Sequence, residues 1–302
     1  MRCARPSKMR GIGPCGIEEL SSILFHGQSS NKNQLQKLKL NLSNNPSIGY
    51  LGASAISRCS LQSINDKFFL KSLDLSNCNI CDDGAEVLAA SICNNTCLEF
   101  LDLSNNKIGK SGAVAIGDSF KQNRSITIAR FAKNNFGEGG VIAIASSLLQ
   151  CNNIDDVEST NNDVITVLDM ARTGGDKAGA EQLLKCCALK NLRLFDNALG
   201  SDGIAVIAPL VAHHSSLQDL DLGGNLATDE GIATFLDSLH HNNTLEVLGI
   251  GGNIIGEKAT EALKRLSIAR PLLYVARDKP KVKENEQNNS LAELKENEEV
   301  LG

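Results

Sequence analysis

The fold is decided by the stretch LKSLDLSNCNICDDG at residues 70–84, which returns as LEFLDLSNNKIGKSG at residues 98–112. The two copies begin 28 residues apart, and the same spacing leads to Ile126 and Ile154. Repetition at a fixed period of about 20–50 residues is the sequence mark of a solenoid or a related array. Further copies in the same frame begin at Leu189, Leu217 and Leu245.

Each repeat start is numbered position 0 below. Apolar residues recur at positions 3, 5 and 10, and this alternation predicts a short strand with one buried face. Gly at position 14 follows Asp or Ser residues suited to a helix N-cap, such as Asp82 and Asp229, and apolar residues at helical spacing come next. Asn at position 8 must hydrogen-bond backbone groups of the turning chain, because its frame is apolar. These asparagines are Asn106, Asn134, Asn162, Asn197, Asn225 and Asn253.

These residues closely resemble the pattern L-x-x-L-x-L-x-x-N/C-x-L of leucine-rich repeats, specifically the ribonuclease-inhibitor-like subfamily. The resemblance covers residues 12–276 and implies a right-handed α/β solenoid. Strands stack about 4.8 Å apart, whereas packed helices need about 8–10 Å. The array is therefore expected to curve into a horseshoe with a parallel sheet on the concave face and helices on the convex face.

The repeat region has irregular flanks and one irregular spacing. Residues 1–11 are predicted to be an irregular N-terminal segment, and residues 12–276 the solenoid. Residues 277–302 are charged, with six Glu against one Lys in residues 284–302, and their composition predicts a disordered tail. From Ile154 to Leu189 is 35 residues. The extra length is interpreted as an insertion, residues 163–176, that packs against the solenoid.

Composition argues against several classes of protein. The 302 residues are 42% hydrophobic and carry a formal charge of −5, whereas nucleic-acid-binding domains usually carry a basic stripe. No run approaches the ~18 apolar residues of a membrane-spanning helix, and the first residues lack the apolar stretch of a secretory signal. We expect neither nucleic acid nor membrane as a partner, a cytoplasmic or nuclear location, and reduced thiols.

Four of the ten cysteines are spaced like the ligands of a structural zinc site. The repeat frame explains them differently. One cysteine stands at position 8, where the pattern admits Cys, and the two pairs fall at opposite ends of a repeat. We therefore predict packing thiols, with no metal and no cofactor. The four are Cys78, Cys81, Cys93 and Cys97.

Two histidine pairs fall near the end of neighbouring repeats and should lie in adjacent turns. Imidazoles can bind metals, but no carboxylate or Cys accompanies these pairs. Polar turn residues are the favoured interpretation, and the chain shows no catalytic constellation. The pairs are His213 with His214, and His240 with His241.

Binding chemistry has better support on the concave face, where positions 2, 4 and 6 point outward and positions 1 and 7 flank them. Over seven repeats these positions hold ten acidic residues, including Asp155, Asp156 and Glu158, and five basic ones. Such a face should attract a basic protein partner, with exposed apolar residues as anchors. The predicted binding residues are Phe100, Asp102, Ile128, Arg130, Glu158, Arg193, Phe195 and Asp221.

The leading hypothesis is a non-enzymatic protein-interaction module, whether scaffold, inhibitor or sensor. The alternative is a GTPase-activating regulator, because one related branch of these repeats stimulates a small GTPase. That activity needs an Arg at the nucleotide. Arg58 and Arg172 are the nearest loop arginines, and neither matches the Thr-Gly-Arg loop of that branch. A metal or redox protein is a third possibility that rests only on the cysteines and histidines. The sequence does not constrain the oligomeric state.

Overall fold

The computed structural model describes residues 11–19, 36–58, 68–150 and 164–277. The predicted segment 1–11 and tail 277–302 lie almost wholly outside these residues, so both stay predictions. Residues 14–19 are helical. The strands are β1 (Gln36–Asn41), β2 (Phe68–Asp74), β3 (Phe100–Asp102), β4 (Ile128–Arg130), β5 (Val167–Asp169), β6 (Asn191–Arg193), β7 (Asp219–Asp221), β8 (Val247–Gly249) and β9 (Tyr274–Ala276). The helices are α1 (Gly49–Ile56), α2 (Cys81–Ile92), α3 (Lys110–Phe120), α4 (Gly137–Gln150), α5 (Lys177–Leu183), α6 (Gly200–Ala212), α7 (Asp229–Ser238) and α8 (Glu257–Ala269).

The nine strands of the described residues join one parallel sheet in chain order, and an α-helix lies between each pair of successive strands. Each helix packs against the helices of the neighbouring repeats. Apolar residues at positions 3 and 5, such as Leu101 and Leu103, are fully buried between sheet and helices. The predicted α/β solenoid is confirmed. Among the described residues, no helix combines the length and apolarity that a membrane crossing requires.

The position-8 asparagines link neighbouring repeats through buried hydrogen bonds. Asn106 Oδ1 accepts from the backbone N–H of Cys78 at 2.9 Å and of Ile80 at 3.2 Å. Its Nδ2 donates to the carbonyls of Leu75 and Leu103, at 2.8 and 3.0 Å. Asn134, Asn225 and Asn253 repeat this pattern. The predicted role of these amides is confirmed, and each one satisfies the backbone of two turns at once.

Cys78 takes the position-8 place in its repeat. Its Sγ is buried and donates to the carbonyl of Leu42 at 3.1 Å, as the Asn106 amide does to Leu75 one repeat later. Burial raises the pKa of this thiol to about 11, so it stays a protonated donor at neutral pH. A thiol has one hydrogen to give, so Cys78 keeps only part of the amide's bonding capacity.

The fifth repeat corrects the sequence frame. Strand β5 pairs in register with β4 and β6, which places position 0 at Ile165 and not at Ile154. Leu168 and Met170 then fill positions 3 and 5, and both are fully buried. The interpretation of residues 163–176 as an insertion is therefore wrong, because this stretch supplies the strand itself.

The ladder residue of this repeat is Thr173, whose N–H donates to Asn197 Oδ1 at 3.0 Å. Asn162, which the repeat pattern predicts for that role, lies outside the described residues.

Aspartates of one repeat cap the helix of the next repeat at two sites among the described residues. Asp82 Oδ1 accepts from the N–H of Gly109 at 2.6 Å and of Gly112 at 3.1 Å, at the start of α3. Asp229 caps the start of α8 in the same way. A Cβ at Gly109 would lie 3.0 Å from the Asp82 carboxylate, which explains the glycine. Both Asp residues were expected to cap their own helices, so this capping ties adjacent repeats together instead.

Candidate functional site

The outward side chains of the sheet form rows, because neighbouring strands pair in register. In the position-2 row, Phe100, Ile128 and Val167 stand side by side on β3, β4 and β5. All three are half-buried. We call these three residues the apolar stripe. Side chains of this size are good interface anchors when they line a charged surface. The sequence predicted Phe100 and Ile128, but the frame error concealed Val167.

The position-4 row alternates in charge over most of its length. Asp102, Arg130, Asp169, Arg193 and Asp221 follow one another on β3 to β7. The Arg193 Nη1 atom lies 4.0 Å from an Asp169 carboxylate oxygen. Opposite charges on adjacent strands stabilise the row and leave little net charge in it.

The row's carboxylates also end their strands. Asp74 Oδ1 accepts from the N–H and the hydroxyl of Ser76, at 2.9 and 2.8 Å. Asp102 accepts from the N–H of Ser104 at 2.9 Å, and Asp221 from that of Gly223 at 2.9 Å. A carboxylate that accepts a backbone N–H mainly stabilises the local turn, and binding a partner is its secondary role.

Asp102 is the predicted binding residue whose environment differs most from expectation. It is only 8% exposed. The pKa of its carboxyl is raised to about 6, first by burial and then by the negative charge of Asp74 on the adjacent strand. The N–H of Ser104 and the charge of Arg130 act in the opposite direction. Asp102 is therefore a buried, electrostatically strained group, not the exposed anion that the sequence suggested.

Two arginines stack on aromatic residues of this face. The Arg130 guanidinium carbon lies 5.3 Å from the centre of the Phe100 ring, and that of Arg172 lies 5.6 Å from the Phe195 ring. Arg172 Nε also donates to Asp196 Oδ2 at 2.7 Å. Each pair combines a flat apolar surface with a cation, and both features suit a protein interface.

Phe195 lies over the backbone of the next repeat, at Gly223 and Gly224. A Cβ at Gly223 would lie 2.8 Å from the Phe195 Cδ2 atom, and one at Gly224 would lie 3.3 Å from Cζ. The two glycines therefore leave the space that the ring occupies.

Position 7 lies in the turn that follows each strand, and its residue takes a left-handed backbone conformation. Asparagine and glycine tolerate this conformation best. Lys133 and Arg172 nevertheless occupy it, with φ of 59° and 55°. Both side chains are exposed on the rim of the face. The other described residues of this row are Asn44, Asn77, Asn105, Asp196, Gly224 and Gly252, all at positive φ.

The observed register changes the charge of the face. The count of ten acidic and five basic side chains depends on Asp155, Asp156 and Glu158, which lie outside the described residues and not in β5. With the observed register, Asp169 takes position 4 and Arg172 takes position 7 of that repeat. The seven repeats from Leu70 thus present eight acidic and six basic residues. The acidic residues are Asp74, Glu99, Asp102, Asp169, Asp196, Asp219, Asp221 and Glu246. The basic residues are Lys71, Arg130, Lys133, Arg172, Lys190 and Arg193.

These charges are not evenly spread. The repeats of β4, β5 and β6 carry five of the six basic residues and only two of the eight acidic ones. We call this region, with Arg130, Lys133, Arg172, Lys190 and Arg193, the basic centre. The other six acidic residues lie on either side of it.

Cys78 and Cys186 are the buried cysteines among the described residues, and His214 lies in a turn. The seven cysteines of the described residues form no disulfide, and these residues contain no cluster suited to a metal. His214 Nδ1 accepts from the N–H of Ser216 at 3.3 Å and of Leu217 at 3.1 Å. Asn242 does the same for the following turn. Burial lowers the pKa of His214, so the ring is neutral and acts as a turn cap.

The two loop arginines of the GTPase-activating alternative are engaged within the chain. Arg58 pairs with Glu18 at 3.1 Å, and Arg172 with Asp196. No specific observation favours that alternative.

The 28-residue frame, the Asn ladder and the single parallel sheet define the class of fold: the chain has the α/β solenoid fold of leucine-rich repeats. A family model described as Leucine Rich repeat matches residues 34–57, 67–89 and 94–117. The leucine-rich repeat-containing protein LegL7 from Legionella pneumophila has a similar structure, with a TM-score of 0.50 and 20% identity over 86% of this chain and 76% of that chain.

A structure of Leiomodin-1 actin-binding site 2 is similar at a TM-score of 0.38 and 19% identity, over 51% of this chain and 75% of that chain. A comparison with curated proteins found no match.

Proposed function

We propose that the protein is a non-enzymatic interaction module that binds a protein partner through its concave face. The observation that carries this proposal is the apolar stripe beside the basic centre. Three apolar side chains stand on adjacent strands and remain half-buried, with cations above and beside them. A cluster of this kind supplies both the apolar anchor and the charged surroundings of a binding hot spot.

The register also refines the expected charge of the partner. A basic partner fits the acidic residues on the two sides of the face, whereas the basic centre fits acidic groups. We therefore propose a partner that places acidic and apolar groups at the centre and basic groups beyond it. The conformation of Lys133 and Arg172 supports a binding role, because each is a long cation in a place where Asn or Gly costs less. The ribonuclease-inhibitor-like subfamily and a cytoplasmic or nuclear location remain parts of this proposal.

Affinity capture with matched variants tests the proposal. Ile128→Asp alters the middle of the apolar stripe, and Val114→Asp makes the same kind of change on the exposed surface of α3. Both variants must first show melting temperatures close to that of the unmodified chain. A partner retained by Val114→Asp and lost by Ile128→Asp supports the concave face. Loss with Val114→Asp alone would assign binding to the helical side and contradict the proposal.

A further inference from the structure

The order of charges on the concave face matches the order of charges in the C-terminal segment of the same chain. Moving back from β9, the repeats of β8 and β7 present Glu246, Asp221 and Asp219, and residues 218–224 and 246–252 contain no Lys or Arg. The basic centre follows on β6, β5 and β4. The face thus changes from acidic to basic with distance from the last strand.

The segment after β9 changes charge in the opposite sense. Residues 277–283, RDKPKVK, carry four basic residues and one acidic residue, whereas residues 284–302 carry six Glu and one Lys. Residues 290–302 also contain apolar side chains at Leu291, Leu294 and Leu301. If the chain runs back across the sheet, its basic part meets the acidic strands and its acidic part meets the basic centre.

The distances permit this path. The chain leaves β9 at the end of the strand where the position-7 residues Lys133 and Arg172 also lie. Strand β6 lies three strand spacings from β9, about 14 Å away. Residues 278–284 can span up to about 23 Å when extended. Glu284 can therefore reach the edge of the basic centre, and the residues after it can extend over β5 and β4.

We propose that residues 284–302 of this chain bind the basic centre of its own concave face, while residues 279–283 cross β7 and β8. The acidic side chains pair with Lys133, Lys190 and their neighbours, and the leucines contact the apolar stripe. The segment occupies the surface assigned to the partner in the proposed function, so the partner has to displace it. A tethered segment has an effective concentration in the millimolar range, so weak contacts suffice to keep it in place.

Proteolysis of the 302-residue chain tests this inference. A Glu-specific protease cuts after the six Glu residues of the segment, and mass spectrometry follows cleavage after Glu293. The double variant Lys133→Asp/Lys190→Asp reverses two exposed charges of the centre without creating a new cleavage site. We expect cleavage about tenfold faster in this variant. The matched control Lys177→Asp/Lys264→Asp makes the same change on two helices and should leave the rate unchanged.

A charge swap separates direct pairing from a general effect of charge. Glu296→Lys/Glu298→Lys should also speed cleavage after Glu293, and combining it with the reversed centre should slow cleavage again. Equal rates in all variants would overturn the inference. A rate that falls as protein concentration rises would overturn it too, because the centre would then hold the segment of a second copy. Either failure leaves the proposed function intact if Ile128→Asp still loses the captured partner.

Discussion

Asp102 shows how one residue can serve the fold at an electrostatic cost. Its carboxylate caps the N–H of Ser104, yet burial and the neighbouring Asp74 raise its pKa to about 6. The ordinary pKa of this group is 3.8, so between these values the folded state binds a proton that the unfolded state does not. The resulting loss of folding stability is absent below the pKa of the unfolded state. It is complete once the pH has risen through the pKa of the folded state.

Asp102→Asn should therefore stabilise the protein at neutral and alkaline pH. Asn41 shows that an amide fits this row, because its Oδ1 accepts from the N–H of Ser43 at 3.0 Å and its Nδ2 donates to Asp74 at 2.9 Å. We expect a gain on the order of 2 kcal/mol near pH 8 that disappears below about pH 4. Urea unfolding at several pH values measures it.

Asp221→Asn is the matched control for this experiment. Asp221 caps the N–H of Gly223 in the same way, but its neighbours on the adjacent strands are Arg193 and Gly249. No gain at high pH is expected for this variant. A gain for Asp102→Asn that did not change with pH would contradict the electrostatic explanation.

The Asn ladder gives a second prediction for a single residue. Asn106→Ala leaves the N–H groups of Cys78 and Ile80 and the carbonyls of Leu75 and Leu103 without the amide that satisfies them. Each buried polar group left in this way costs about 1–3 kcal/mol, so a loss of about 3 kcal/mol or more is expected in chemical unfolding. Asn105→Gly is the control, since this exposed neighbour has a left-handed backbone that Gly adopts without strain. An equal loss in both variants would contradict the ladder's role.

For single residues, the sequence predicted the hydrogen bonds of the position-8 asparagines, but it did not predict the burial and raised pKa of Asp102. An amide repeated in an apolar frame implies backbone hydrogen bonds wherever the chain turns, so pattern alone suffices. The burial of Asp102 depends on the residues that flank it on β2 and β4, and alternation along one strand contains no information about them.

Between elements, the contact of Phe195 with Gly223 couples β6 to the turn after β7. A methyl group at Gly223 would meet the Phe195 ring and also the carbonyl oxygen of Gly251, each at 2.8 Å. Gly223→Ala should therefore destabilise the protein by about 1–3 kcal/mol. In the Phe195→Ala background the cost should fall but not vanish, because the Gly251 contact remains. A double-mutant cycle in urea measures the coupling, and additive effects would show that the ring does not occupy this space.

The fifth repeat marks the limit of prediction at the element scale. A constant period placed the strand after Ile154, where Ser159 would have filled the buried position 5. The structure uses the later alternation of Ile165, Leu168 and Met170, which buries three apolar side chains and pairs with both neighbouring strands. Burial and register decide the position of the strand, whereas the period only suggests it.

Over the whole molecule, this one shift changes the functional interpretation. It adds Val167 to the apolar stripe and Arg172 to the basic centre, and it removes three acidic positions from the strand of that repeat. The class of fold was predictable because every repeat contributes to the pattern. The charge of the face was not predictable, because it depends on the register of every repeat. An error in the register of one repeat changes all five side chains that this repeat contributes to the face.

The basic centre should also be a place where stability and binding oppose each other. Lys133 holds a left-handed backbone, while the neighbouring Asn105 and Asn77 take the same conformation and form an exposed ladder, with Asn105 Nδ2 donating to Asn77 Oδ1 at 3.0 Å. Lys133→Asn extends this ladder and eases the backbone, so we expect a gain of about 0.5–1 kcal/mol in urea unfolding.

The same change removes an exposed cation from the rim. Association with the captured partner should therefore slow, and the rate should depend less on salt. Lys133→Arg is the control, because it keeps both the charge and the strained backbone, and it should change neither stability nor association. A Lys133→Asn variant that became more stable and bound its partner at an unchanged rate would show that Lys133 plays no part in the interface.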